Sequence, residues 1–291
     1  MTQSNPGIHH FAIGDYTVTA LNDGAFEAQT AWVAGVPAEE CEALLRDSFR
    51  AVPPRITISA FLLSKGNDHT LIDSGCGTAM GPAFGNLRTH LKTLGIAPAD
   101  IKRVLVTHAH IDHVCGLINE AGAPYYPNAE IVIHEAEPAY WLNAANESAA
   151  PEGAKSGFHD ARTSLTPYTS QTRTIADGAT VIPGVTALHL PGHTPGHTGY
   201  KITSGTDSLL IWGDVVHLPG IQFARPEAAM GFDNNMDLGR ISRRRAFDLA
   251  TTERLRVAGM HLDFPCFGHV TRAGTGYSFI PEVWTPGASW G

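Results

Sequence analysis

The 291-residue chain is short of charge, of positive charge above all, of paired cysteines and of long apolar runs. Only 16% of its residues are charged, and 20 Lys and Arg face 28 Asp and Glu, for a net charge of −8 with His neutral. A chain of that sign has no bulk positive field with which to hold a nucleic acid or an anionic membrane surface. No stretch approaches the ~18 consecutive apolar residues of a membrane-spanning helix, so membrane insertion is excluded as well. Met1 to Tyr16 lack a basic segment followed by an apolar one, so no secretory leader is read and a cytoplasmic protein is expected, although a mature secreted form would read identically. Cys41, Cys76, Cys115 and Cys266 stand far apart and form no CxxC pair. That spacing fits reduced, mostly buried thiols rather than a disulfide framework.

What is abundant is apolar surface, 43% of residues, and histidine, 15 in all. The length and apolar content suffice for a large core without a structural staple. Strand-like runs rich in β-branched and aromatic residues fall at 16–21, 56–63 and 69–73, then at 102–107, 130–134, 185–190, 197–202 and 208–212. Residues 38–49, 84–94 and 238–257 space their apolar side chains by three and four and are expected to be helical, with a short helix within 113–121. Residues 143–178, rich in Ala, Ser, Thr, Gly and Pro, read as a long irregular excursion that shapes a pocket mouth. There is no linker and no repeat. One α/β domain over residues 1–291 is expected, with two sheets packed face to face and helices outside.

The densest chemical signal is Thr107-His108-Ala109-His110-Ile111-Asp112-His113, directly after a strand. Four metal-competent side chains at a strand end converge when the loop turns back on itself. Three further segments place a ligand type at a strand end: Gly192-His193-Thr194-Pro195-Gly196-His197, Trp212-Gly213-Asp214 and Phe267-Gly268-His269. Strand ends followed by turns are where α/β folds bind ligands.

In this order HxHxDH, GHTPGH, GD and GH, preceded by Asp73-Ser74-Gly75, resemble the motifs of the metallo-β-lactamase-fold hydrolases over nearly the whole chain. The resemblance implies a four-layer αββα sandwich with two mixed sheets. It also implies two divalent metal ions, His108, His110 and His193 holding one, Asp112, His113 and His269 the other, and Asp214 bridging both. Imidazole and carboxylate ligands suit zinc best and also accept cobalt, manganese or iron. His197 is expected to orient the turn around His193, and Asp73 to hydrogen-bond a ligating histidine.

Within the superfamily, His110 argues against the flavodiiron oxidoreductases and Asp214 against the β-lactamase branch. The acidic chain without an added domain argues against nucleic-acid-processing members. Glyoxalase II-like thioesterases use basic residues that Arg240, Arg243, Arg244 and Arg245 could imitate, but these read as a solvated helix face. Gly81-Pro82, Gly213 to His217, Ile221-Gln222-Phe223 and His261 to Pro265 are most similar to the lactonase and methyl-parathion-hydrolase-like branch, which suggests a homodimer. His217 stands where many acyl-homoserine lactonases carry Tyr, and Met80 where the organophosphate hydrolases carry an aromatic. The expected activity is opening of lactones or cleavage of aryl esters by a metal-bridging hydroxide, with promiscuous organophosphate triester hydrolysis. Asp112, Asp214 and His217 are the expected catalytic residues. Met80, Trp141, Phe158, Phe223 and Phe264 are candidates for an apolar pocket wall. A glyoxalase II-like thioesterase and a non-catalytic metal-binding module are the alternatives, separated from a lactonase by a substrate panel and by metal content.

Overall fold

A strand that is apolar at nearly every position can bury its side chains only if both of its faces are covered. Ile56 to Leu63 is such a run. In the computed structural model, which describes residues 6–284, it is the middle of the strand Arg55–Lys65. Alternate residues go to opposite faces. Phe61 and Leu63 join a core cluster with Val185, Tyr200 and Ile202 of a second sheet, whereas Ala60 and Leu62 join one with the helix residues Leu87, Leu91, Phe158 and Leu165. Ile72 and Leu71, Leu105 and Val104, and Val132 and Ile131 divide in the same way.

The first sheet has seven strands in the order Ile8–Ile13, Tyr16–Glu27, Arg55–Lys65, Asp68–Ile72, Ile101–Leu105, Glu130–His134, Thr172–Ile175. Its first half is antiparallel and its last four strands are parallel. The second sheet also has seven strands, antiparallel except for the parallel neighbours Asp207–Ile211 and Arg256–Ala258. The helix Met236–Thr252 covers its outer face with Ala246, Phe247 and Ala250. Helices on one sheet, that sheet on the other, and a helix beyond make the αββα sandwich that the sequence implied. The Tyr200 hydroxyl donates to the Val106 carbonyl at 2.8 Å and ties the sheets together beside the site. Residues 1–5 and 285–291, part of the expected 1–291 domain, lie outside the described residues. Among the described residues no helix is long and apolar enough to cross a membrane.

Three expectations change. Residues 143–178 are not irregular: they hold helices Ala144–Ala149 and Lys155–Leu165, a 3-10 turn Thr166–Gln171 and the edge strand Thr172–Ile175. Small and polar residues masked a helix whose buried face, Phe158, Ala161 and Leu165, follows the three-four spacing. The short helix begins earlier, at Ile111–Val114, and passes into a 3-10 turn at Cys115–Leu117. Arg243 is buried rather than solvated; it donates to the carbonyls of Val215 (2.7 Å), Pro226 (3.1 Å) and Ala228 (2.7 Å).

Candidate metal centre

The parallel strands of both sheets deliver their C-terminal ends to one edge of the sandwich. Asp68–Ile72 ends at Asp73, Ile101–Leu105 at the histidine-rich loop, Asp207–Ile211 at Asp214 and Arg256–Ala258 at His261. Each turn needs unusual backbone. Asp73 has φ of 61°, a left-handed conformation that Asp tolerates better than most residues. Gly213 has φ of 62°, and a Cβ there would meet His197 Nε2 at 2.5 Å, so only glycine lets Asp214 approach.

Asp214 Oδ2 is the centre of the cluster. Five imidazole Nε2 atoms surround it: His261 at 3.0 Å, His217 at 3.1 Å, His113 and His193 at 3.3 Å, and His108 at 3.5 Å. His108 Nε2 also lies 3.0 Å from His110 Nδ1 and 3.2 Å from His193 Nε2. Asp112 Oδ2 lies 3.5 Å from both His113 and His261. Three sets of ligand atoms converge: His108, His110, His193 and Asp214; Asp112, His113 and His261; and Asp214, His217 and His261.

The rings are aimed from behind. Asp73 Oδ2 accepts from His113 Nδ1 at 2.7 Å, and the same carboxylate accepts the backbone N–H and hydroxyl of Thr107. Asp233 accepts from His193 Nδ1 at 2.7 Å, and the Thr57 carbonyl from His261 Nδ1 at 2.7 Å. With each Nδ1 held as a donor from behind, Nε2 is the nitrogen that each of these rings presents to the cluster. His197 donates from Nδ1 to the Leu190 carbonyl and accepts the Asp214 backbone N–H at Nε2, so it braces the loop and does not join the cluster.

Burial and crowding set the charges. Burial lowers His108 and His110 well below the ordinary imidazole value, and neighbouring histidines push the same way. Burial would lower His113 and His193 too, but Asp214, Asp112 and Asp73 outweigh it at His113, and Asp214 and Asp233 raise His193 to about 9. Burial would raise Asp214, yet the imidazoles around it, His113 first, hold it well below the usual carboxylate range. Burial drops His217 to about 4 against the pull of Asp214. Buried His113 Nε2, Asp214 Oδ1 and His217 Nδ1 have no hydrogen-bond partner. Buried polar atoms without partners carry a desolvation cost of about 1–3 kcal/mol each, and a cation held by His113 Nε2 and Asp214 would remove it at those two. The donor set therefore fits a pair of divalent ions.

One expected ligand is corrected. His269 does not reach the cluster: it lies inside the strand Phe267–Ala273, in register with Arg256 and Ile280, with Nε2 3.3 Å from Glu282. The strand continues through the Gly-His pair, so no loop turns that ring inward. His261, in the turn Gly259-Met260-His261 after a short parallel strand, takes the place instead.

A cavity of about 270 Å³ opens on the cluster, lined by His110, Asp112, Asp214, His217 and His261 and, on its other walls, by Phe26, Ile56, Met80, Ile111, Ser156, Gly157, Asp160 and Phe232. Of the expected wall residues only Met80 is present. Phe158 and Trp141 are packed together in the core under the helices, Trp141 lying behind His110 with ring centroids 5.5 Å apart. Phe223 stacks on Phe247 of the helix that covers the second sheet, and Phe264 packs against the same core cluster. The helix Lys155–Leu165 does border the cavity, but through Ser156, Gly157 and Asp160, the face opposite Phe158.

Sequence reading missed Glu137. Fully buried, its carboxylate accepts from Ala109 N–H (2.9 Å) and Trp141 Nε1 (2.8 Å) on one oxygen, and from Thr194 Oγ1 (2.5 Å) and Gly196 N–H (2.7 Å) on the other. It joins the loop bearing His108 and His110 to the loop bearing His193. A lone acid in the polar stretch His134-Glu135-Ala136-Glu137 gave no signal of this; burial alone distinguishes it from Glu135.

Known proteins were compared with this geometry in view. Residues 54–269 match the family model described as the metallo-beta-lactamase superfamily. An N-acyl homoserine lactonase of Bacillus sp is 29% identical over 154 residues, 53% of this chain and 53% of that protein. The chain spans between half and two thirds of the length of the curated relatives it matches, which include the uncharacterized YobT of Bacillus subtilis (strain 168), 28% identical over 170 residues, 58% of this chain and 66% of that protein. Among solved structures, hydrolase AbOPH of the beta lactamase superfamily superposes with a TM-score of 0.92 at 28% identity, covering 97% of this chain and all of that one. AidC, a dizinc quorum-quenching lactonase solved with an N-hexanoyl-L-homoserine product, superposes at 0.90 with 25% identity, covering 96% and 98%.

Proposed function

This chain belongs to the metallo-beta-lactamase superfamily, and from that we propose that it is a dinuclear metal-dependent hydrolase that opens lactones or cleaves aryl esters. The observation that carries the proposal is the crowding of five imidazole Nε2 atoms within 3.5 Å of one buried carboxylate oxygen, at the floor of an apolar cavity. His108, His110, His193 and Asp214 would hold one ion; Asp112, His113 and His261, with Asp214 shared, would hold the second. Such a pair, when bound, supplies Lewis acidity that brings the pKa of a coordinated water towards ~7 and polarises an ester carbonyl. The likeness to a dizinc lactonase supports zinc as the metal.

The chain's own residues do the rest. Asp73, Asp233 and the Thr57 carbonyl hold the proton of three ligating rings at Nδ1, which keeps Nε2 free. Phe26, Ile56, Met80 and Phe232 exclude water from the bound ester and provide apolar surface for its acyl or aryl part. His217 lines the cavity with its Nε2 3.1 Å from Asp214 and its ring flanked by His261 and Phe232. From there it donates a hydrogen bond to the oxygen of the departing alcohol. His217→Asn preserves a donor and His217→Ala does not, so a loss of turnover in Ala that Asn partly restores supports this role.

Among the described residues no Lys or Arg lines the cavity. The glycyl carboxylate of an acylglutathione would find no partner there, and Arg243, which the sequence offered for that purpose, is spent on three backbone carbonyls. That favours the lactonase or esterase over the thioesterase. The deciding experiment is metal content together with turnover of dihydrocoumarin, a homoserine lactone, an aryl ester, an acylglutathione and paraoxon, with zinc, manganese and cobalt in turn. Two metals per chain with lactone or ester preferred is the expected result. Preference for the acylglutathione, or no hydrolysis of any substrate with fewer than two metals bound, overturns the reading.

A further inference from the structure

The cavity holds one charged group that the metal-binding set does not use. Asp160, on the helix Lys155–Leu165, lines it, is half-buried, and has no hydrogen-bond or ion-pair partner among the described residues. The two cations nearest in sequence are engaged elsewhere: Lys155 with Glu152 at 2.6 Å, and Arg162 with Glu147. Burial raises the Asp160 carboxyl above its ordinary value, opposed only by His159. Phe26, Ile56, Met80, Ile111 and Phe232 give the same cavity its apolar lining, two of them as phenyl rings. A carboxylate half withdrawn from water, in a cavity that also presents phenyl rings and has no Lys or Arg in its lining, is the combination that recognises an organic ammonium ion.

We infer that this cavity contains an ammonium subsite, formed by Asp160 with the rings of Phe26 and Phe232, so that the ester or lactone it takes carries a protonated or quaternary amine. That the ligand is an ester rests on the hydrolase reading; the ammonium subsite rests on the cavity alone. A carboxylate-bearing substrate is disfavoured for the same reason, having an acid to face and no base to meet.

The test is binding, so it does not depend on turnover. Choline and 3,3-dimethylbutan-1-ol have the same shape, a quaternary carbon replacing the nitrogen in the second. Their affinities for the zinc-loaded protein are measured by ligand-observed NMR at low salt. Choline should bind about tenfold more tightly, a margin that shrinks as salt is raised. Asp160→Asn should bring the two affinities together. Ser156→Lys, one helical turn earlier on the same face, should do so too by supplying Asp160 with a cation, and it serves if the Asn variant fails to fold. Equal affinities in the wild type, or an undiminished margin in a folded variant, overturn the subsite. Absence of all ester and lactone hydrolysis, with choline discrimination intact, would instead remove the hydrolase reading and leave the subsite standing.

Discussion

Glu137→Gln is the most searching change to make, because the residue touches no ligand atom and yet connects both loops that carry the first metal set. The carboxylate offers two oxygens to four donors: Ala109 from one loop and Trp141 from its own helix on one oxygen, Thr194 and Gly196 from the other loop on the second. A glutamine keeps the shape but replaces one oxygen by an NH2 group, which turns two of those hydrogen bonds into donor-to-donor contacts. Hydrogen bonds to a charged acceptor are worth about 1.5–3 kcal/mol each, and relief from burying a charge returns part of the loss. A net cost of about 3 kcal/mol follows. Because Ala109 sits between His108 and His110, and Gly196 three residues after His193, the cost should appear where those rings meet. Metal retention at the His108, His110, His193 set should weaken by about 10–100-fold, the range seen when a supporting hydrogen bond behind a ligand is lost. Stepwise chelator titration of the cobalt-substituted protein, followed by its visible absorption and by metal analysis, would show one ion leaving early and the other on time. Leu91→Ala, a core truncation in the helix Asn86–Thr93, which bears none of the Glu137 partners, is the control for general destabilisation. Wild-type retention in Glu137→Gln, or equal loss of metal from Leu91→Ala, would refute the account.

Other changes test other parts. His261→Ala should reduce bound metal from two ions to about one per chain and lower turnover by at least about tenfold, whereas His269→Ala should bind two and turn over normally; metal analysis with a lactone assay decides. Arg243→Met should cost about 3 kcal/mol or more in denaturant unfolding, because three buried carbonyls lose a charged donor at once. All four described cysteines are buried, and burial pushes Cys115 up to about 11 and Cys266 to about 12, with Cys41 and Cys76 also raised. At pH 8 a thiol reagent should therefore leave the native protein unlabelled and modify four thiols after denaturation; fast labelling of the native protein would contradict that burial.

The layers of the fold were legible because both sheets are covered on both faces, so their strands announce themselves as largely apolar runs such as Ile56 to Leu63. The helix Lys155–Leu165 was not, since its buried face is carried by Phe158, Ala161 and Leu165 among Ser, Gly and Thr, and propensity there argues for a loop. The first metal motif was equally plain: ligands crowded into one loop need no tertiary information to be brought together. Glu137 could not be found that way, because what sets it apart is that two loops 85 residues apart, His108 to His193, close over it, a fact of packing.

His269 and His261 show where motif reasoning and structural reasoning part. Gly268-His269 has the lettering of a ligand, but its residues alternate on with Val270, Thr271 and Arg272 as a paired strand, and the ring emerges beside Glu282. His261 has no such lettering, yet it obeys the rule that located Asp214: a short apolar strand, a glycine, then the ligand. Asp207–Ile211 and Arg256–Ala258 are parallel neighbours in register, Ile211 opposite Ala258, so the turns that follow them open side by side. That register places Asp214 Oδ2 and His261 Nε2 3.0 Å apart. The approach of His261 to Asp214 is thus fixed by one parallel strand pair, and shifting its register by one residue would send His261 to the wrong face while leaving every motif in the chain intact.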